Sequence, residues 1–384
     1  MEMMMSALKV SLFRFRSWLQ SSLFPSVEDE VGELTEDHKR LLTVLPMIDL
    51  DHFINQVQGL PGRPKSNRLA IARSFVAKMV FKMPETKHLR TRLRSDPKLR
   101  HICGWTSLGS IPSESTFSRA FAEFAQTELP AKVHEALIQK THADRIVGHV
   151  RRDATAIEAR ERPAKKPTQA IPSSPKKRGR PKKGEEKPTQ PTRLERQAHL
   201  SLQECLDDLP KQCDVGTKKN SKGYKETWRG YKLHLDVADG EIPLSALLTS
   251  ASLHDSQVAI PLAKMTRERA TSLYDLMDSA YDSQPIRDFS IALGHVPIID
   301  VNPRANQALK AEREAEAKRR RILNFKLPEE LRYNERSGSE RVNGRAKDDY
   351  GASTIRVRGH AKVYCHLMFG ILAMAAERIL RLIT

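Results

Sequence analysis

Tyr333-Asn-Glu-Arg336-Ser-Gly-Ser-Glu340-Arg-Val-Asn-Gly-Arg-Ala-Lys347 sets a tyrosine, an arginine, a glutamate and a lysine at the spacing Tyr-x2-Arg-x3-Glu-x6-Lys. On one continuous helix, about 100° per residue puts Tyr333, Arg336 and Lys347 within roughly 40° of Glu340 around the axis. One carboxylate then shares a stripe with two cations and a phenol. A hard metal ion wants the carboxylate, and phosphates want the cations and the hydroxyl. A solvated charged helix has the same composition, and Gly338 and Gly344 weaken it by roughly 1 kcal/mol each relative to Ala. The pattern takes its meaning from what lies upstream.

Upstream, two aspartates follow strand-like runs. Arg145–Arg152 reads as a strand leading into Asp153, and Ser272–Met277 as a strand ending at Asp278. Between them Tyr231–Val237 alternates, Asp239-Gly240 turns the chain, and Ile242–Thr249 is apolar enough for a buried partner strand. Asp255–Ala270 and Ser283–Leu293 read as helices, and Val296–Val301 as a further strand. Acids at strand ends point out of a sheet edge, where they can converge. Asp153, Asp278 and Glu340 together can hold two Mg²⁺ (or Mn²⁺) about 4 Å apart, the arrangement that serves in-line displacement at a phosphodiester. Singly, each acid has an ordinary reading as a turn or helix cap, or as the partner of Arg336 or Lys347. The ordered set in a basic chain favours the chemical one.

The chain is basic, with 65 Lys+Arg against 47 Asp+Glu in 384 residues and a net charge of +18. That excess implies a polyanion partner. Cys103, Cys205, Cys213 and Cys365 show no paired spacing, which reads as reduced thiols and no zinc site. Lys9, Arg14 and Arg16 interrupt the run Met1–Phe24, so no signal peptide is expected. Tyr364–Ala376 is apolar but shorter than the roughly 20 residues of a membrane span, which predicts a buried terminal helix and no membrane partner.

Composition divides the chain into three parts. Residues 1–45 read as a weakly structured lead-in. Residues 46–145 carry helical periodicity, with Asn67 capping a helix over Leu69–Phe81 and Asp96-Pro97 opening another. Within this part, Pro112-Ser-Glu-Ser-Thr116-Phe-Ser-Arg119 opens a helix whose first turn offers Ser113, Thr116, Ser118 and Arg119. Such a turn suits the recognition helix of a helix-turn-helix-like DNA-binding module, and equally a plain capping segment of a bundle. Residues 146–384 form the third part, interrupted at about 160–195. Arg160–Arg193 holds twelve Lys/Arg, three Glu and seven Pro, and cannot bury a core. Its centre, Arg178-Gly179-Arg180-Pro181 flanked by lysines, resembles the AT-hook, in which glycine lies on the minor-groove floor and the arginines insert.

Taken together, Asp153-Ala-Thr155, Trp228 through Leu235, Leu253-His-Asp-Ser256, Met277 through Asp282 and Tyr333 through Lys347 resemble the DDE transposases of bacterial insertion sequences, in the group carrying the Tyr-x2-Arg-x3-Glu-x6-Lys signature. The helical part, with Gly62-Arg-Pro and Ser113–Arg119, is similar to the domain preceding the catalytic core in that group. The resemblance implies an α/β, ribonuclease-H-like core, a mixed sheet of about five strands flanked by helices. It implies that Asp153, Asp278 and Glu340 are the metal ligands, and that Tyr333, Arg336 and Lys347 hold phosphates near the cleaved end. It also implies a cytoplasmic, nucleoid-associated protein that assembles as a homodimer on DNA. Ala280 stands where a glycine is common, and the 62 residues from Asp278 to Glu340 leave no room for the β insertion of some relatives. The expected activity is cleavage at terminal inverted repeats and transfer of the 3′-hydroxyl to target DNA. The rivals are a metal-dependent nuclease without strand transfer and a catalytically inactive DNA-binding regulator derived from a transposase.

Overall fold

A computed structural model of the chain describes residues 2–54, 66–164, 191–219, 223–303 and 306–383. At its centre lies a six-stranded mixed sheet of β1 (Ile146–Glu158), β2 (Asp214–Lys219), β3 (Lys225–Ala238), β4 (Ile242–Ser250), β5 (Thr271–Met277) and β6 (Val296–Ile299). β3 pairs antiparallel with β1 and β4, and its first half pairs with β2. β5 runs parallel to β1, and β6 parallel to β5. Every residue of β4 is buried, as expected of a strand covered on both faces. β1 is longer than its sequence suggests and carries Asp153 in its interior, because pairing with β3 continues as far as Glu158 opposite Gly230. The crossing is close there: a Cβ on Gly230, at φ +148°, would meet the Ile157 carbonyl at 2.1 Å.

On one face, α9 (Arg193–His199), α10 (Leu202–Asp207), α11 (Ala259–Arg267) and α12 (Gln284–Ala292) cover the sheet, with Leu262, Met265 and Ile286 in the buried clusters beneath them. The chain is extended at Leu200–Ser201, between α9 and α10, where Ser201 and Glu204 form the capping box of α10. α13 (Gln307–Ile322) is charged and has no buried residue. α14 (Pro328–Asn334) and α15 (Ser337–Asp348) then return the chain to the other face.

The lead-in differs from expectation. Residues 2–48 form α1 (Glu2–Trp18), α2 (Phe24–Val31) and α3 (Glu36–Ile48). The α3 start is a capping box in which the Thr35 hydroxyl accepts from the His38 amide, and the His38 imidazole replaces the usual Glu at the Thr35 amide. His38 also reaches Asp96 at 3.1 Å, tying α3 to a later helix cap. Beyond lie α4 (Arg68–Val80), α5 (Thr86–Ser95), α6 (Pro97–Ile102), α7 (Glu114–Gln126) and α8 (Leu129–His142). Asn67 caps α4 by accepting from Ala70, and Asp96 caps α6 by accepting from Leu99.

Helix α16 (His360–Leu380) joins the two halves. It is buried on nearly every side, against α3, α4, α7, α8 and β4. Phe369 meets Phe75, Phe121 and Phe124 at ring distances of 5.7, 6.2 and 6.3 Å. One hydrophobic core therefore runs from Leu12 to Ile379, and the change of pattern at residue 146 marks a change of element rather than a gap between cores. By length and composition α16 could cross a membrane; 83% of its apolar window is instead buried inside the protein. It extends beyond the apolar run because Glu377 closes onto Arg40 of α3 at 3.0 Å. All four cysteines are free and buried.

Candidate active site

β1 and β5 lie side by side with Arg151 level with Leu276. Two residues further, the same parallel register sets Asp153 level with Asp278, the first residue past β5. Asp153 projects from the same face as Arg151, toward α15, where Asn343 Nδ2 donates to Asp153 Oδ2 at 3.0 Å. Asp278 Oδ1 accepts from the Ala280 amide at 2.9 Å and so caps the turn after β5. Burial pushes the Asp153 carboxyl up to about 6, and the neighbouring Asp278 and Asp255 charges add to it. Burial also raises Asp278, with Asp255 adding, while Arg336 works the other way. Two half-buried carboxylates near each other are an arrangement that a cation relieves.

The signature segment is not one helix. Glu335 and Arg336 form a turn between α14 and α15, with Arg336 N bonded to Tyr333 O and Ser339 N to Arg336 O in the tighter i→i+3 pattern. The cause is tertiary. Arg151 reaches Glu335 at 2.9 Å, and Gly338 lies against the Arg151 side chain so closely that a Cβ would stand 3.2 Å from it. Arg336 keeps its place one turn before Glu340 and donates to Glu340 Oε1 at 2.6 Å. Burial works against the Arg336 charge, but Tyr333, Asp153, Glu340 and Asp278 together raise its pKa, so this one guanidinium feels all three acids. Tyr333 stacks against it at 5.7 Å. Lys347 does not join them. Its electrostatic neighbours are Lys218 and Glu158, at the far end of β1.

In this arrangement Glu340 is 60% exposed and turned to Arg336. Among the described residues, no three His, Cys, Asp or Glu side chains stand together as one ion's ligand set. The donor chemistry nonetheless fits a hard divalent ion at the aspartate pair. Besides the two carboxylates, Asn343 Oδ1 and the Tyr281 hydroxyl are buried oxygens without a hydrogen-bond partner among the described residues. Tyr281 is raised by burial and then by Asp255, Asp153 and Asp278, which sets it beside the acids. Asn343, Tyr281 and Asp255 join the site without a mark of that role in the sequence pattern. Asn343 was within reach, being three residues past Glu340 on the same helical stripe. Asp255, which reads as structural next to His254, holds Lys232 at 2.7 Å.

On α7, Ser113 stands at the N-cap position, but its hydroxyl contacts those of Ser115 and Thr116 at 2.8 and 3.2 Å rather than an amide. Arg119 donates to Thr116 at 3.3 Å, and Ser118 is exposed beside them. Arg178, Gly179 and Arg180, like Gly62-Arg-Pro, lie outside the described residues. Trp228 packs over Gly216 and donates to the Tyr231 carbonyl at 3.0 Å, a structural role.

A mixed sheet flanked by helices, with one aspartate on a central strand level with a second just past the parallel neighbour's end, defines an acid-centred α/β protein. Comparison with known families makes this specific. The Transposase DDE domain model matches residues 152–375, more than half of the chain, and the chain belongs to that family. The Transposase domain (DUF772) model matches residues 29–123, beginning inside the segment read as a lead-in. The chain is also similar to a "Probable transposase for insertion sequence element ISH11" from each of two strains of Halobacterium salinarum, R1 and NRC-1. Each is 26% identical over 178 residues, covering 44% of this chain and 54% of the relative. The chain thus spans about half the length of the curated relatives it matches. No solved structure matches it.

Proposed function

We propose that the chain is a DNA transposase that binds the terminal inverted repeats of its element, cleaves them, and transfers the 3′-hydroxyl ends to target DNA. In this reading Asp153, Asp278 and Glu340 are the ligands of two divalent ions, Mg²⁺ or Mn²⁺. The ions would supply the charge that an in-line displacement at phosphorus needs at its attacking and leaving oxygens. The observation that carries the reading is the level placement of Asp153 on β1 and Asp278 just past β5, half-buried, with the one guanidinium that acts on both, Arg336, bonded to Glu340.

The chain's own groups take the remaining work. Asn343 holds the Asp153 carboxylate in one rotamer by its 3.0 Å hydrogen bond. Arg336, with Tyr333 against it, is placed to take a phosphate in exchange for Glu340, which frees that carboxylate to face the aspartates. Lys347, further along, meets the DNA backbone away from the reacting phosphate. Ser113, Thr116, Ser118 and Arg119 engage DNA from the helical region, and Arg178, Gly179 and Arg180 engage the minor groove. Two element ends are processed together, so a homodimer forms on DNA.

The test combines full-length protein, labelled terminal DNA, Mg²⁺ and a target plasmid. Joined products are expected, and their loss in Asp153→Asn with DNA binding retained. Cleavage without joining would assign a nuclease. One observation favours a non-catalytic DNA-binding regulator, namely the Arg336–Glu340 contact that keeps the third acid from the other two. Retained DNA binding with no cleavage of any end by the unmodified chain would select that reading.

A further inference from the structure

Where the helical region meets the sheet, a cavity of about 480 Å³ opens between α4, α5, α7 and the segment before α16. Lys78 lines it from α4. This side chain is 5% exposed and makes no hydrogen bond or ion pair among the described residues. The one carboxylate that acts on its charge, Glu85, is already engaged by Arg356 at 3.3 Å. Burial pulls the ammonium down to about 8, which leaves it charged at neutral pH. His366, on the same wall, is held neutral, pushed down to about 3 by burial and then by Lys78 itself.

Two helices begin at this cavity. Thr86 and Lys87 are the first residues of α5, and Glu114 and Ser115 the first of α7; neither helix start has a side-chain cap. Their free amides and dipole ends add positive potential to that of Lys78. Lys87, Arg160 and Arg356 bring the lining to four cations against Glu85 and Glu114. A buried, unpaired lysine facing two uncapped helix starts is a costly arrangement that an anion with several acceptor oxygens would satisfy.

We infer that this cavity is a phosphate-binding site, and that its ligand is a backbone phosphate of the DNA that also reaches Asp153. Arg160 follows directly from β1, seven residues past Asp153, which separates the two places by about 20 Å along the strand. A duplex crossing that distance advances by about six base pairs, so one DNA can occupy both. Lys347, which feels the charges of Lys218 and Glu158, adds a cation near the far end of β1. The choice of DNA over a small phosphate-bearing molecule rests on the transposase reading; the anion site itself does not.

The experiment uses the full chain and two probes, inorganic phosphate and a DNA duplex. Phosphate should raise the melting temperature of the unmodified protein saturably at constant ionic strength, and chloride should not. Lys78→Met should lose that rise, while melting higher than the unmodified protein in the absence of phosphate because an unpaired buried charge is gone. For DNA, the slope of log affinity against log salt should fall by about 0.9, with affinity down about tenfold, in Lys78→Met. Arg160→Gln, at the exposed mouth, should move both readouts in the same direction and serves if the core variant does not fold. An equal phosphate response in unmodified and variant protein, or none in either, overturns the site. Loss of the phosphate response with an unchanged DNA salt slope overturns the DNA assignment and leaves a small-molecule phosphate site. Failure of the unmodified chain to bind DNA overturns the transposase reading, and the phosphate response still decides the site.

Discussion

Arg152 and Asp153 are neighbours on β1 and project to opposite faces of the sheet, and the two faces treat charge in opposite ways. Beneath the sheet, Arg152 donates to both oxygens of Asp236 at 2.8 and 2.7 Å, directly across from it on β3. Thr266 adds a hydroxyl to Asp236 at 2.6 Å, and Ser290 and His295 attend the nearby Asp275 at 2.8 and 3.2 Å. Burial works against the Arg152 charge, and Asp236 and Asp275 more than offset it. Above the sheet, Asp153 accepts from the Asn343 side chain and the Ala154 backbone, and has a second carboxylate for company. The guanidinium that acts on Asp153, that of Arg336, is bonded to Glu340. Both faces gather acids at the central strands; the lower buries Asp236 and Asp275 with counter-charges, whereas the upper leaves Asp153 and Asp278 half-buried and side by side. Matched charge fixes strand register, whereas unmatched charge keeps a face ready for a cationic ligand.

The largest expected effect breaks the upper face. Asp153→Asn should reduce end cleavage by at least about a thousandfold, the scale for removing a group that acts on developing charge. It should leave the fold intact, since no cation loses its partner. Cleavage assays with circular dichroism on the same samples check this, and cleavage within tenfold of the unmodified chain would remove Asp153 from the site.

The lower face responds in stability instead. Asp236→Asn leaves Arg152 buried without its charge partner and should cost about 3–5 kcal/mol, read as a lower urea midpoint at unchanged slope. A loss below about 1 kcal/mol would mean that the lower network is as uncompensated as the upper one, and the contrast would fail.

A pH series sharpens the difference. The folded Asp153 carboxyl, at about 6, binds its proton more tightly than in the unfolded chain, where the ordinary value is 3.8. The folded state therefore holds more protons between those values, and stability falls as pH rises from about 4 to 6, then levels off. Two pH units correspond to about 2–3 kcal/mol. Asp278, also raised by burial, contributes in the same direction. Asp153→Asn should make the metal-free profile shallower, leaving the contributions of Asp278 and of Asp236, which burial also raises, and Asp236→Asn should leave the upper-face component unchanged.

How much of this contrast is visible in the sequence depends on the range of the interactions. Asp153 and Asp278 stand out because apolar, strand-like runs precede them, and strand identity is a local property. Arg152 and Asp153 are adjacent and look alike in prominence; their opposite fates depend on β3 and α15 arriving on different faces. The break at Glu335–Arg336 was invisible because its cause, Arg151, lies 184 residues earlier. β2, a short polar strand, has no alternation to betray it, and α3 begins on a histidine-based capping box that a search for Glu or Gln passes over. Helix α16 reads as buried, but its place as the joint between both halves comes only from the faces packed against it.

The smallest effect separates two arginine–carboxylate pairs of nearly equal length. Arg152–Asp236 and Arg336–Glu340 close at 2.7 and 2.6 Å, yet the first is 2% and 0% exposed and the second 20% and 60%. Water screens the second pair, and exposed pairs contribute about 0–1 kcal/mol. Arg336→Met should therefore move the urea midpoint by less than about 1 kcal/mol equivalent, a fraction of the Asp236→Asn loss. The same substitution removes the one cation that acts on Asp153 and Asp278 together, so both carboxyls should titrate higher, and the stability step should move up in pH. A stability loss above about 2 kcal/mol with no movement of that step would show that Arg336 anchors the upper face as Arg152 anchors the lower. The upper face would then be a second structural ion network, and the acids there would have lost their claim to be a site.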